Sequence, residues 1–148
     1  MASARWFTPI GLLAAMAGGA IGVSARAALT LPFSAGAHPL VVPAITLVVN
    51  IVGSLLLGVV VGLLGDRHPV LRTFVGTGVL GGFTTYSAFA VHVVQTSTAA
   101  PLVGLALMAV SLFGGLVAAG FGLALGRRAA GRRAHPGPAG VEPLEAAE

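Results

Sequence analysis

Four long runs of apolar residues dominate the chain, and short polar or proline-containing stretches separate them. The runs cover about residues 9–29, 40–64, 73–94 and 102–125. Each has the roughly 20 residues that a helix needs to cross the hydrocarbon core of a bilayer. The pattern therefore predicts an all-α membrane protein whose residues 1–126 form one domain of four transmembrane helices.

The composition supports a bilayer as the solvent of this domain. Of the 148 residues, 56% are hydrophobic and 8% are charged, and the mean hydropathy is +0.98. A soluble domain of this length could not bury that much apolar surface. The chain has no cysteine, which excludes disulfides, thiolate metal sites and cysteine nucleophiles. The acidic residues all lie outside the apolar runs: Asp66, Glu142, Glu145 and Glu148.

The charge distribution favours membrane topology over nucleic-acid binding. The isoelectric point is about 11.5, and all eight basic residues are arginines. Four of the eight follow the last apolar run directly. This placement is typical of a cytoplasmic membrane flank. Residues 127–148 are also proline-rich and lack periodicity, so we expect a disordered cytoplasmic tail.

The first apolar run has an alternative interpretation as a cleavable signal peptide. Arg5 precedes the run, and the small residues of Ala-Arg-Ala at positions 25–27 resemble a cleavage site. Against this interpretation, Gly18, Gly19 and Gly22 form a small-residue face suited to helix packing in lipid. Cleavage would also leave only three spans.

A polar stripe runs along the second predicted span. Thr46, Asn50 and Ser54 are spaced by four residues and so share one helix face. Such a stripe either bonds to neighbouring helices or lines a polar pathway, and uncharged donors of this kind suit a small anion. Ser111 is the lone polar residue of the fourth run. Small residues repeat every four positions in the second and fourth runs, which indicates close helix packing: Gly58, Gly62, Gly114, Ala118, Gly122 and Gly126.

The third run is interrupted near its middle by "GGFTTYSAF", residues 81–89. We expect Gly81 and Gly82 to let the helix unwind. Non-helical backbone at membrane depth is tolerated only where it is buried in protein or lines a cavity, and its free carbonyls can coordinate a small cation. Tyr86 and Phe89 follow on one helical face, and the positive edges of two aromatic rings could attract an anion without a formal charge.

These segments together resemble the CrcB/Fluc family of fluoride channels. The resemblance covers residues 18–126 and is carried by "GGAIGVSAR", by "TLVVN" and "GSLLLG", and by "GVLGGFTTYSAF", in that order. It implies a four-span protein that assembles as an antiparallel dimer and passes fluoride passively out of the cell through two pores. It also implies a structural sodium ion at the centre of the dimer.

The resemblance implies roles for individual residues. The carbonyls of Gly81 and Thr84 match the family's sodium ligands, and Arg26 matches a structural arginine that closes the first motif. The expected pore and fluoride-binding residues, including Thr46 from the polar stripe, are Thr46, Asn50, Tyr86, Ser87, Phe89 and Ser111. The family's usual "TTFSTF" is "TTYSAF" in this chain, so Tyr86 replaces a phenylalanine and Ala88 lacks a hydroxyl.

Two other functions fit four spans. A small multidrug exporter needs a membrane carboxylate that binds proton and drug in turn, and no Asp or Glu lies in any apolar run. A non-transporting membrane subunit would gain nothing from a polar stripe and a broken helix, which both cost stability in lipid. An enzyme is not expected, because the runs offer no carboxylate pair and no nucleophile with its base.

The arginines also bear on the partner subunit. With four spans, one side of the membrane receives Arg5, Arg67, Arg72, Arg127, Arg128, Arg132 and Arg133, and the other receives only Arg26. Such a bias fixes the termini in the cytoplasm. A chain with one orientation cannot form an antiparallel homodimer, so we expect a homologous heterodimer partner. The alternative is that the tail arginines do not decide insertion and the chain is a dual-topology homodimer.

Overall fold

The structure is a computed structural model that describes residues 8–33, 38 and 40–134. Within these residues the chain is helical and contains no strand. A 3-10 turn at Leu31–Phe33 ends the first span, and a π-helical segment at Thr73–Leu80 lies inside the third. The α-helices are α1 (Pro9–Thr30), α2 (Val41–Leu64), α3 (Pro69–Arg72), α4 (Gly81–Phe83), α5 (Tyr86–Ala99) and α6 (Pro101–Ala134).

Four helical stretches are long and apolar enough to cross a membrane. They are Pro9–Phe33, Val41–Leu64, Pro69–Thr98 and Pro101–Arg132. The prediction of four spans is therefore confirmed. The third span is composite, since it contains α3, the π-helical segment, α4 and α5. π-helical turns are rare and are frequently found at functional sites.

The second and fourth spans pack against each other in parallel through glycines. Gly58 lies against the backbone of Ala119 in α6, and Gly62 lies against Leu123 and Arg127, one turn further along both helices. A Cβ atom on Gly126 would approach the Cα of Gly62 to 2.9 Å, closer than real Cβ atoms come. These small-residue stripes therefore join two spans of one chain, as expected for small residues in lipid.

The first and third spans form the second parallel pair. Gly18 and Gly22 are buried, and a Cβ on either would collide with backbone atoms of the π-helical segment. A Cβ on Gly78 would come within 2.9 Å of the Cα of Gly18. α1 carries one half of this contact. The packing therefore favours the interpretation of α1 as a membrane span over its interpretation as a cleaved signal peptide.

The break in the third span is present, but its position differs from the prediction. Gly81 has helical dihedral angles, φ −64° and ψ −37°, and Gly82 lies inside α4. The chain leaves the helix at Thr84 (φ −78°, ψ 154°) and Thr85 (φ −146°, ψ 117°). The expectation that the glycines unwind was wrong. Gly82 instead allows close packing, because a Cβ there would lie 2.5 Å from the carbonyl oxygen of Gly19.

The fourth span also differs from the prediction at its end. The sequence pattern places a disordered tail from residue 127, whereas α6 continues to Ala134. Alanine and arginine are strong helix formers, so residues 127–134 extend the helix beyond the last apolar residues. The rest of the predicted tail, residues 135–148, lies outside the described residues.

Candidate functional site

An open groove of about 590 Å³ lies where the second, third and fourth spans meet at the break. Its polar lining comes from three different spans and includes no charged side chain. Seven of its residues are Asn50, Ser54, Gly81, Thr84, Tyr86, Phe89 and Ser111, and Thr85 completes the broken segment. The structure therefore brings together most of the residues expected to form the pore or to bind the cation.

The side chain of Asn50 is paired with the backbone of Thr85. Asn50 Nδ2 donates to the Thr85 carbonyl oxygen at 3.2 Å, and the Thr85 backbone N–H donates to Asn50 Oδ1 at 2.9 Å. One carboxamide thus satisfies both backbone groups of a residue that has left the helix. Unpaired backbone groups are costly at membrane depth, so this pair stabilises the break.

The chain becomes helical again directly after the break, as α5, because Thr85 caps the N-terminus of this helix. The Thr85 hydroxyl accepts from the Ala88 backbone N–H at 3.2 Å, as an N-cap threonine does. At the other side of the break, the Thr84 backbone N–H and its hydroxyl both donate to the Leu80 carbonyl at 2.9 Å. The two threonines therefore end one helix and start the next.

The break leaves backbone carbonyls without their helical donors. In a continuous helix Gly81 would accept from the Thr85 N–H, and Thr84 from the Ala88 N–H. Both of these donors are engaged elsewhere. Within the described part of the chain, neither the Gly81 carbonyl nor the Thr84 carbonyl has another hydrogen-bond donor. The two carbonyls that the resemblance assigns to sodium thus have no hydrogen-bond donor among the described residues.

Arg26 binds a third carbonyl of the same segment. Its Nε lies 3.4 Å from the carbonyl oxygen of Gly82, and its side chain is half-buried between α1 and α4. In a continuous helix that carbonyl would accept from Tyr86. Arg26 therefore binds the broken segment from α1, whereas Asn50 binds it from α2.

The two predicted aromatic residues are neighbours in the groove. The ring centroids of Tyr86 and Phe89 are 6.3 Å apart and the ring planes are tilted by 50°. Phe89 is half-buried, whereas Tyr86 is 83% exposed. An exposed ring that lines a groove of a membrane protein leaves one wall of that groove open to lipid or to another subunit.

Thr46 and Ser87 are the predicted pore residues that do not line the groove. Thr46 is buried in α2, with 4% of its surface exposed, one turn before Asn50. Ser87 is exposed, and its hydroxyl lies 3.2 Å from the Thr85 hydroxyl. Both therefore flank the groove without lining it.

Thr85 is a residue whose importance the sequence interpretation missed. The sequence pattern assigns no role to it, but its backbone N–H and carbonyl bind Asn50 and its side chain caps α5. A usable signal was present, because a threonine immediately before a new apolar helix is a common N-cap. Its pairing with Asn50, 35 positions away, had no local sequence signal.

The site offers weak, uncharged donors to an anion. Hydroxyls, one carboxamide and two aromatic rings line the groove, and no Lys, Arg or His lines it. A few uncharged donors in an apolar wall bind a small anion without the strong attraction that would retain it. The described residues also contain no cluster of three His, Asp or Glu residues, so a transition-metal centre is not supported there.

Comparison with known proteins agrees with this geometry. The family model for CrcB-like protein, Camphor Resistance (CrcB), matches residues 13–123. Fluoride-specific ion channel FluC 2 of Bacillus subtilis is 40% identical over 116 residues, covering 77% of this chain and 86% of the relative. Fluoride-specific ion channel FluC of Sphingopyxis alaskensis is 40% identical over 125 residues, covering 79% of this chain and 95% of the relative.

A third relative is Fluoride-specific ion channel FluC 2 of Thermobifida fusca, which is 44% identical over 112 residues, covering 72% of this chain and 81% of the relative. The matched region runs from Leu13 in α1 to Leu123 in α6, so it includes parts of all four spans together with the groove and the break. The chain belongs to the CrcB family.

Proposed function

We propose that this protein is a fluoride-specific ion channel that lets fluoride leave the cell passively and so reduces fluoride toxicity. The observation that carries the proposal is the groove of uncharged donors at the broken third span, in a chain of this family. The relatives named above are fluoride-specific ion channels. Family membership favours this function over the multidrug exporter and the non-transporting subunit.

The lining chemistry suits passage of an anion down its gradient. The donors must replace part of the water shell of fluoride, and the absence of a fixed positive charge in the groove lets the ion leave again. Asn50 and Ser111 line the groove from two different helices and Phe89 lines it with an aromatic ring, so each would contact fluoride in transit. The lining contains no Asp, Glu, His, Lys or Arg that could carry a proton in a transport cycle, which fits a channel rather than a proton-coupled carrier.

A structural sodium ion at the break is part of the proposal. The uncommitted carbonyls of Gly81 and Thr84 are hard, neutral oxygen ligands, which suit a monovalent hard cation. Two carbonyls cannot complete the coordination of such an ion, so a second subunit would supply the others. The cation would stabilise backbone groups that otherwise lack partners at membrane depth.

We also propose an antiparallel dimer in the cytoplasmic membrane. The groove is open on one side, and Tyr86 is exposed beside it, so a second subunit could close the pore wall. A homologous partner with a fuller set of pore residues would make Tyr86 and Ala88 tolerable here. Lipid covers the remaining apolar faces, and the termini face the cytoplasm.

The proposal is tested by fluoride efflux from liposomes that contain the purified protein, alone and together with a homologous partner. Fluoride is expected to leave down its gradient, with chloride at least ~100-fold slower, a difference of about 3 kcal/mol. Empty liposomes are the control for leak. A folded, dimeric protein that passes no fluoride in either preparation would refute the channel function.

A further inference from the structure

The Thr85 backbone N–H has two possible acceptors, and the structure shows it bound to one of them. In a continuous helix its acceptor would be the Gly81 carbonyl, four residues earlier. It donates instead to Asn50 Oδ1 at 2.9 Å. We infer that Asn50 is a positioning residue for the cation: by holding the Thr85 N–H, it keeps the Gly81 carbonyl free to bind sodium. This inference rests on the sodium site proposed above.

The direction of the Asn50 carboxamide is fixed by the chemistry of its partner. A backbone N–H can only donate and a backbone carbonyl can only accept. Since Thr85 presents both groups to one side chain, Oδ1 must face the N–H and Nδ2 must face the carbonyl. The opposite amide orientation would place the Nδ2 donor against the Thr85 N–H and the Oδ1 acceptor against the Thr85 carbonyl, and neither contact is a hydrogen bond.

This fixed orientation also determines what Asn50 offers to the groove. One Nδ2 hydrogen is used by the Thr85 carbonyl, and the two N–H bonds of a primary amide diverge. The second hydrogen therefore points away from Thr85, and it has no acceptor among the described residues. Asn50 lines the groove, so the group it can present there is a donor suited to an anion.

Removal of the Asn50 oxygen would release the Thr85 N–H at membrane depth. An unpaired backbone N–H in that environment must find an acceptor. The Gly81 carbonyl is the acceptor that helical geometry supplies, and α4 already extends to Phe83, two residues before Thr85. Restoring that bond would extend the helix and remove one of the two carbonyls proposed for sodium. Sodium would then compete with helix formation.

Two substitutions of Asn50 separate this role from anion binding. Asn50→Ala removes both donor and acceptor. Asn50→Asp keeps an acceptor for the Thr85 N–H but loses the donor and adds a negative charge. Both variants are expected to lose fluoride flux in liposomes. Only Asn50→Ala should weaken sodium binding, because only that variant frees the Thr85 N–H.

The readout is the sodium concentration that gives half of the maximal thermal stabilisation of the purified full-length protein. We expect Asn50→Ala to raise this midpoint about tenfold, the effect of a hydrogen bond near the upper end of its usual net contribution. Asn50→Asp should retain the wild-type midpoint or lower it. Ser54→Ala is the matched control, since Ser54 lies one turn along the same helix face and makes no hydrogen bond to the break.

The outcomes distinguish this inference from the function on which it rests. A sodium-dependent wild type whose midpoint is unchanged in Asn50→Ala overturns the positioning role while leaving the channel function intact. If the wild-type protein conducts fluoride but its thermal stability does not depend on sodium, the cation site is refuted, and the positioning role of Asn50 is refuted with it. A solid-state NMR correlation between the Thr85 amide nitrogen and Asn50 Cγ in bilayers needs no variant, and its absence would also refute the inference.

Discussion

Individual side chains at the break each bind a backbone group that the missing helical turn leaves without a partner. Asn50 binds both groups of Thr85, and Arg26 binds the carbonyl of Gly82. Among the residues that the structure describes, Arg26 is a charged residue that lies inside an apolar span, away from the helix ends. A charge in that position is costly unless a polar partner receives it. The freed carbonyl therefore explains why an arginine is tolerated there.

Substituting Arg26 by alanine is expected to lower the free energy of unfolding by about 1.5 kcal/mol, the lower end for a hydrogen bond to a charged group because the contact is long. Unfolding of the purified protein in mixed micelles measures the change. Arg128→Ala is the control, since Arg128 is exposed near the end of α6. Equal stability of the two variants would show that Arg26 does not stabilise the break.

Phe89 provides a second test at single-residue resolution. Phe89→Ile removes the ring edge but keeps apolar volume, so flux should fall while the protein stays folded. Tyr86→Phe is the matched control, because it keeps the ring and removes only the hydroxyl of the neighbouring aromatic residue. Fluoride efflux from liposomes compares the two. Wild-type rates for Phe89→Ile would show that its ring does not contribute to the pathway.

Pairs of parallel spans, rather than single helices, position the site. α2 and α6 are held together by glycines, and they supply Asn50 and Ser111 to the lining of the groove. α1 and the third span are joined in the same way, and this contact holds the helical half of the broken segment. The geometry of the break therefore depends on glycines that lie outside the groove.

Two glycines of α1 test this dependence. A Cβ on Gly22 would lie 2.7 Å from the backbone nitrogen of Phe83, and backbone atoms cannot move away cheaply, whereas Gly19 has open space around its own Cβ position. Gly22→Ala should destabilise the protein by about 1–3 kcal/mol, as overpacking does. Gly19→Ala should be neutral or stabilising, since alanine favours the helix. Unfolding in mixed micelles measures both, and similar values would contradict the close contact.

The sequence predicted the elements better than their interruptions. Four spans and a broken third helix were predicted because long apolar runs and polar residues within them are strong signals. The position of the break was not predicted correctly, because glycine permits both unwinding and close helix packing. Which of the two occurs depends on contacts with Gly19 and Asn50 from other spans. The end of α6 was missed because arginine and alanine continue a helix without an apolar pattern.

At the scale of the whole molecule, positive charge is concentrated at one end of the bundle. α1 and the third span begin at this end, and α2 and α6 finish there. Arg67, Arg72, Arg127, Arg128 and Arg132 all lie in its loop or helix ends. Arg26 is the exception, and its bond to Gly82 places it inside a span rather than in a loop. The sequence that connects α1 to α2 and α5 to α6, residues 31–40 and residue 100, contains no arginine.

This asymmetry argues for one orientation of the chain in the membrane, with the arginine-rich end in the cytoplasm. Asp66 accepts from Arg72 at 3.0 Å, but acidic residues contribute little to insertion. An antiparallel dimer made only of this chain would need half of its copies to insert against the bias. We therefore propose that the second subunit is a homologous chain of opposite orientation. The dual-topology homodimer is the alternative.

Cysteine labelling in intact cells that express this chain alone distinguishes the two arrangements, and the absence of native cysteine makes the background clean. His38→Cys reports on the loop opposite the arginine-rich end, and Ala139→Cys reports on the tail. A membrane-impermeant reagent should label position 38 only. Replacing the four arginines at positions 127, 128, 132 and 133 by glutamine should make both positions reactive, because the bias is reduced. Comparable labelling of both sites in the otherwise unaltered chain would refute the heterodimer and support the dual-topology homodimer.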